Sequence, residues 1–216
     1  MKKVSMKLAA KSLSLASAAV LFLGSQAQAD PVTINYTADN AVVIGGTCTD
    51  INCSSIVFLS DFDIVFADGS EPNASSWPDA DTAVIDLAPG TYGLAFIADN
   101  FGVGGGGNPA GFLAEILWQG MSNFTSDAWD VTLDGINWVS ATEWAQNGTG
   151  IWGGNLVGEI STDAQWIWDS VNFNSDTVPR VGFRTSITVT AVPEPSTLAL
   201  LGLGLLAGGL VGRRRV

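Results

Sequence analysis

The chain has 216 residues, with 9 Lys+Arg against 21 Asp+Glu, no His and 2 Cys. Residues 1–29 hold four lysines and no acid, residues 30–192 two arginines and twenty acids, and residues 193–216 three arginines and one acid. So acidic a middle section excludes phosphate neutralisation, and with it nucleic acid as a partner. The missing imidazole excludes triads and zinc sites built on His.

The N-terminal stretch predicts a secretory signal peptide over 1–29. Lys2, Lys3, Lys7 and Lys11 form its basic region, Leu13–Gly24 its apolar region, and Ala27-Gln28-Ala29 its small-residue cleavage site. Export would use Sec and signal peptidase, and the mature chain would begin at Asp30.

Period-two alternation starts at once. Val32, Ile34, Tyr36 and Ala38 alternate with Thr33, Asn35 and Thr37, as Val181, Phe183, Thr185, Ile187 and Val189 do with Gly182, Arg184, Ser186 and Thr188. Each pattern predicts a strand with one buried face. Further strand signals lie at 61–66, 82–87, 91–98 and 111–118, with Ala88-Pro89-Gly90 reading as a hairpin-like turn. No long apolar face of helical period appears in 30–191, so the expected fold is all-β: a single β-sandwich or jelly roll. The phrases Leu87-Ala88-Pro89-Gly90-Thr91-Tyr92, Asn108-Pro109-Ala110-Gly111-Phe112-Leu113-Ala114-Glu115-Ile116 and Ala164-Gln165-Trp166-Ile167-Trp168 occur in that order. Together they resemble galactose-binding-like (discoidin-type) jelly rolls, which implies carbohydrate association and, in many such domains, a structural Ca²⁺.

Several features in this domain bear on chemistry. Cys48 and Cys53 form a close pair in an exported chain, which predicts a disulfide staple; two thiols with no His and no second pair make a poor zinc site. Asp61, Asp63 and Asp68 offer oxygen ligands of the kind Ca²⁺ takes, with Asp79-x-Asp81 and Asn172-x-Asn174-x-Asp176 as further clusters and solvated turn acids as the alternative reading. Indole faces stack on sugar rings. Most of the eight tryptophans are expected in the core, Trp166 or Trp168 among them, whereas Trp129, Trp138, Trp144 and Trp152 lie in loop-prone sequence and are the candidate glycan platform. Gly102–Gly107 has neither a Lys nor a following helix and reads as a loop rather than a phosphate cradle. Glu115, Glu143 and Glu159 are the acids a carboxylate-based glycosidase would draw on.

The C-terminal end runs through Pro193-Glu194-Pro195, an apolar and glycine-rich stretch over Leu198–Gly212, and Arg213-Arg214-Arg215. Fifteen helical residues span about 22 Å, short of the roughly 30 Å of a bilayer core, so the expected transmembrane helix is a thin one. The arginines would stay cytoplasmic. These three parts, in this order over 192–216, resemble the PEP-CTERM sorting signal of Gram-negative bacteria. That resemblance implies an exosortase as processing partner, a transient stay in the inner membrane, and delivery to the surface or an exopolysaccharide matrix. The combined expectation is an exported, non-catalytic, polysaccharide-binding or purely structural protein. Mass spectrometry of the exported form is expected to find Asp30 at its start and an end near Pro193. Retention of Leu198–Arg215 would mean a plain anchor instead.

Overall fold

A computed structural model describes residues 28–67, 77–100, 109–150, 156–171 and 180–191. They form twelve strands: β1 (Asp30–Asp39), β2 (Ala41–Cys48), β3 (Phe62–Ala67), β4 (Asp81–Leu87), β5 (Gly90–Asp99), β6 (Gly111–Trp118), β7 (Met121–Phe124), β8 (Asp130–Thr132), β9 (Val139–Ser140), β10 (Thr142–Gln146), β11 (Gln165–Trp168) and β12 (Arg180–Val189). The strands make two antiparallel sheets. One has the order β10-β11-β6-β1-β4, with β7 also paired to β6; the other has the order β3-β2-β5-β12-β8-β9. Successive strands stay within a sheet only at β2–β3, β6–β7, β8–β9 and β10–β11, and every other step crosses the sandwich. The domain is therefore an all-β sandwich wound in jelly-roll fashion.

The alternation in β1 and β12 has its expected consequence. Val32, Ile34, Tyr36 and Ala38 meet Val181, Phe183, Ile187 and Val189 in one core between the sheets. Aromatic rings interlock across the gap. Phe96 of one sheet lies 5.7 Å from Tyr36 and 4.9 Å from Phe112 of the other, and Phe112 stacks on Phe183 at 4.6 Å. Trp168 closes the series on Phe183 at 5.4 Å.

The outer faces are not left to water, which single-face alternation did not predict. Outside the first sheet, Leu113 and Trp166 pack beneath Val157, Ile160 and Ala164. There Asn35 donates to the Glu159 carbonyl and Thr37 to that of Asp79, so polar residues of β1 are buried yet satisfied. Outside the second sheet, the loop closed by the Cys48–Cys53 disulfide lays Cys53 and Ile56 over Ala95 and Ile97. Two glycines clear its seat. A Cβ on Gly93 would lie 2.6 Å from the Ile51 carbonyl oxygen, and one on Gly182 would strike Ile56.

The Ala88-Pro89-Gly90 turn corrects one expectation. It joins β4 and β5, which lie in different sheets, so it is a corner of the sandwich rather than a hairpin. Among the described residues no helix is long and apolar enough to cross a membrane. The expected transmembrane segment at 198–212 lies outside them.

Gly182→Ala is expected to lower unfolding free energy by about 1–3 kcal/mol, the usual cost of overpacking, as read by denaturant titration. Replacing both cysteines by serine should cost about 2 kcal/mol, in keeping with a very short closed loop.

Candidate functional site

Packing withdraws Trp129 and Trp138 from the expected tryptophan platform. Trp129 is only 1% exposed. Its segment looked loop-like because it is polar, yet it carries the chain from one sheet to the other. The indole fills the gap there, 6.0 Å from both Phe96 and Phe112, and donates its N–H to Asn123. Trp138 packs against the cluster under the disulfide loop, and the Arg184 guanidinium lies 4.4 Å over its ring. Trp144 is 38% exposed on β10, an outer strand of its sheet. Trp152 lies outside the described residues. Trp166 and Trp168 are both buried. Among the described residues, Trp129, Trp138 and Trp144 form no open platform together.

The carboxylates are likewise engaged. Asp61 accepts from the Phe58 backbone N–H and the Ser55 hydroxyl, capping a single 3-10 turn at Leu59–Asp61. Asp63 is exposed on β3, and Asp68 lies outside the described residues. Among the described residues no group of three or more Cys, Asp or Glu side chains is placed to hold a metal ion. Of the expected Ca²⁺ ligands, Asp61 is thus engaged by its own turn and Asp63 faces solvent. Glu115 accepts from the Ser161 backbone N–H and Glu143 from that of Asp127, each stitching a loop to its strand, while Glu159 is exposed.

The two arginines of 30–192 both sit on β12 and both bind acids. Arg180 grips Asp99 in a two-pronged pair at 2.7 and 2.8 Å, which holds its guanidinium above the usual range. Arg184 reaches Asp130 at 2.8 Å and donates to the Asn52 carbonyl. Around this second pair opens a cleft of about 230 Å³, lined by Ile51, Asn52, Ala128, Asp130, Arg184, Thr185 and Ser186. Sequence reading missed it, because Asn52 and Arg184 are 132 positions apart and meet only through the disulfide loop.

One acid is strongly perturbed. Asp134 accepts from the Asn137 and Ile136 backbone N–H groups, the Asn137 side chain and the Thr132 hydroxyl. These bonds, led by that from the Asn137 backbone, hold its carboxyl well below the ordinary carboxylate range. The adjacent Gly135, at φ +77, offers its carbonyl to Ile56, so this turn also braces the disulfide loop.

The two ends of the sandwich domain converge on a single side chain. Gln119 and Gly120 form a two-residue loop between β6 and β7, both with positive φ, 48° and 74°. A glutamine is costly in that conformation, and its carboxamide offsets the cost with four bonds. Its Nε2 donates to the Asp30 carboxylate at 2.7 Å and to the Thr190 carbonyl at 2.6 Å. Its Oε1 accepts from the Thr190 backbone N–H and hydroxyl. Trp118 adds an indole bond to the Thr188 carbonyl at 2.9 Å. Ala29 is exposed just ahead of β1, so cleavage after it would leave that strand whole. Ala27, Pro193, Glu194, Pro195 and Arg213–Arg215 lie outside the described residues.

Because the folded-state pKa of Asp134 is depressed, its charge stabilises the fold fully above about pH 4, where the unfolded carboxylate is ionised, and that contribution fades as pH falls further. The stability difference between wild type and Asp134→Asn should hold steady from pH 7 to about pH 4 and shrink below it, as followed by acid-dependent denaturation. A difference that grows on acidification would refute the assignment.

Comparison with known proteins gives one match. Residues 191–215 match the PEP-CTERM protein-sorting motif, beginning two residues after β12 ends at Val189. No curated protein and no solved structure matches the chain. The motif implies export, membrane anchoring before processing, and an exosortase as the processing partner. The chain therefore carries a PEP-CTERM sorting signal directly behind an all-β sandwich domain.

Proposed function

We propose that the processed protein is a non-catalytic, glycan-binding component of the cell surface or extracellular matrix, and that the glycan it takes is neutral. The observation that carries this reading is the cleft at Arg184. Asn52, Asp130, Thr185 and Ser186 present hydrogen-bonding groups around a hollow of about 230 Å³, the scale of one sugar ring rather than of a larger ligand. The guanidinium of Arg184 is held in place behind the cleft by Trp138, 4.4 Å from the ring centre. The resemblance of several phrases to galactose-binding-like jelly rolls supports the same ligand class.

Charge favours a neutral glycan over an acidic one. Both arginines of the domain are held by Asp99 and Asp130, and eighteen further acids in 30–192 have no basic side chain to balance them. A polyanionic chain would meet net repulsion. Catalysis is disfavoured because Glu115 and Glu143 each already receive a backbone N–H, and they serve different loops.

A purely structural matrix role is the second reading. It draws on Leu133, Ile136, Val139 and Val171, apolar side chains exposed around β9 at the rim of its sheet. Such a surface suits association between copies.

Titration of the exported protein against a panel of neutral and acidic oligosaccharides, read by calorimetry, separates these outcomes. A neutral glycan should bind, and Asn52→Ala or Ser186→Ala should each weaken it by about two- to tenfold, the worth of one hydrogen bond. Binding of acidic glycans alone would overturn the neutral assignment. Self-assembly with no glycan heat would favour the structural role, and glycan cleavage abolished by Glu115→Gln would reinstate the hydrolase.

A further inference from the structure

The two poles of the sandwich differ. At one lie the ends of β1, β4 and β5 that carry Asp39, Asp81 and Asp99, the last with its partner Arg180, and Asp169 just after β11. At the other lie the uncharged turns Ala88-Pro89-Gly90 and Gln119-Gly120, the last residues of β12, and the acids Asp30, Asp86 and Glu115. Asp30 is already bonded to Gln119. Beside it Pro31, Glu115, Leu117, Trp118, Gln119, Gly120, Met121 and Ser122 line a shallow hollow of about 400 Å³, in which Glu115 is already engaged by the Ser161 backbone N–H. Leu117 is 37% exposed and Met121 42%, so apolar surface is presented at this pole although it contributes nothing to the core.

This pole is also the one from which the tail leaves. Thr190 is pinned by Gln119, and three residues reach from it to Pro193, about 10 Å at full extension. Eight residues reach to Leu198, where the apolar stretch begins, about 28 Å at most. While the tail is anchored, the end of β12 and the Trp118–Met121 turn beside it are thus tethered within about 28 Å of the start of the apolar stretch. Aromatic and apolar side chains beside a short uncharged turn suit the headgroup region.

We propose that the Trp118–Met121 turn, with Leu117 and Pro31, is a membrane-docking surface. Before processing, this pole rests on the outer face of the bilayer that holds the tail. Docking keeps Pro193–Pro195 at the membrane surface, within reach of a membrane-embedded exosortase. Release of the tail then removes the only covalent reason for contact, and the weak apolar patch alone does not retain the domain. The proposal rests on membrane anchoring and is independent of the glycan reading.

The experiment uses the full-length chain reconstituted in phosphatidylcholine vesicles carrying nitroxide-labelled lipid. A single environment-sensitive fluorophore is attached through Met121→Cys, Ser122→Cys or, at the far pole, Ser170→Cys; the native cysteines are bonded to each other and do not label. Labels at 121 and 122 should be quenched severalfold more than the label at 170. Adding Leu117→Ser to the Ser122→Cys chain should weaken that quenching, with near-ultraviolet circular dichroism confirming the fold. Equal quenching at all three sites would overturn the proposal, since the domain would then swing freely on its tether. Protection at 121 that appears only when exosortase is added would overturn it too, making the enzyme the occupant of this surface.

Discussion

Phe96 lies in contact with Tyr36, Phe66, Phe112 and Trp129 at centroid distances between 4.9 and 6.0 Å, and through Phe112 it reaches Phe183 and Trp168. These rings come from both sheets and from the segment that crosses between them. Sheets packed face to face leave a layer about 10 Å thick to fill, and large aromatics fill it with few side chains. The cost falls on function. Trp129 and Trp168 are consumed in closing the sandwich, and for this reason the proposed glycan site draws on polar groups around Arg184.

β12 joins that core to everything outside it. All ten of its residues pair with β5, and Gly182–Arg184 pair with β8 on its other side. Its inward face supplies Val181, Phe183, Ile187 and Val189, and its outward face supplies the arginine of the cleft and the glycine that seats the disulfide loop. Its last residues lead straight into the sorting signal. A pull on the tail therefore loads a central strand along its length, across many ladder bonds at once, instead of peeling an edge.

Much of this was legible in the chain. β1, β3, β4, β5, β6 and β12 follow the anticipated runs closely, because each has enough alternating or apolar residues to declare a buried face. β2 escaped notice because Val42-Val43-Ile44-Gly45-Gly46 does not alternate; it lies between β3 and β5 with both its faces covered. The five shorter strands from β7 to β11 have too few residues to show a period. Trp129 misled for a different reason. Its polar neighbours satisfy the turns of a crossover, Ser126 accepting and Asn123 bonding, while the indole between them turns inward. Local composition describes the backbone's company and says nothing of where one side chain points.

The meeting of Asp30 and Thr190 on Gln119 lies beyond any local pattern, since it depends on which strands end at the same pole. Its physical basis is nonetheless simple. The β6–β7 loop is two residues long, which places its first residue between the start of β1 and the end of β12. A carboxamide there offers both a donor and an acceptor, and Thr190 needs both while Asp30 needs only a donor. Glutamate could accept from Thr190 but would repel Asp30, and alanine could do neither. Glutamine in an unfavourable backbone conformation is thus the residue type that closes both ends of the domain at once, and it fixes where the folded domain stops ahead of the sorting signal.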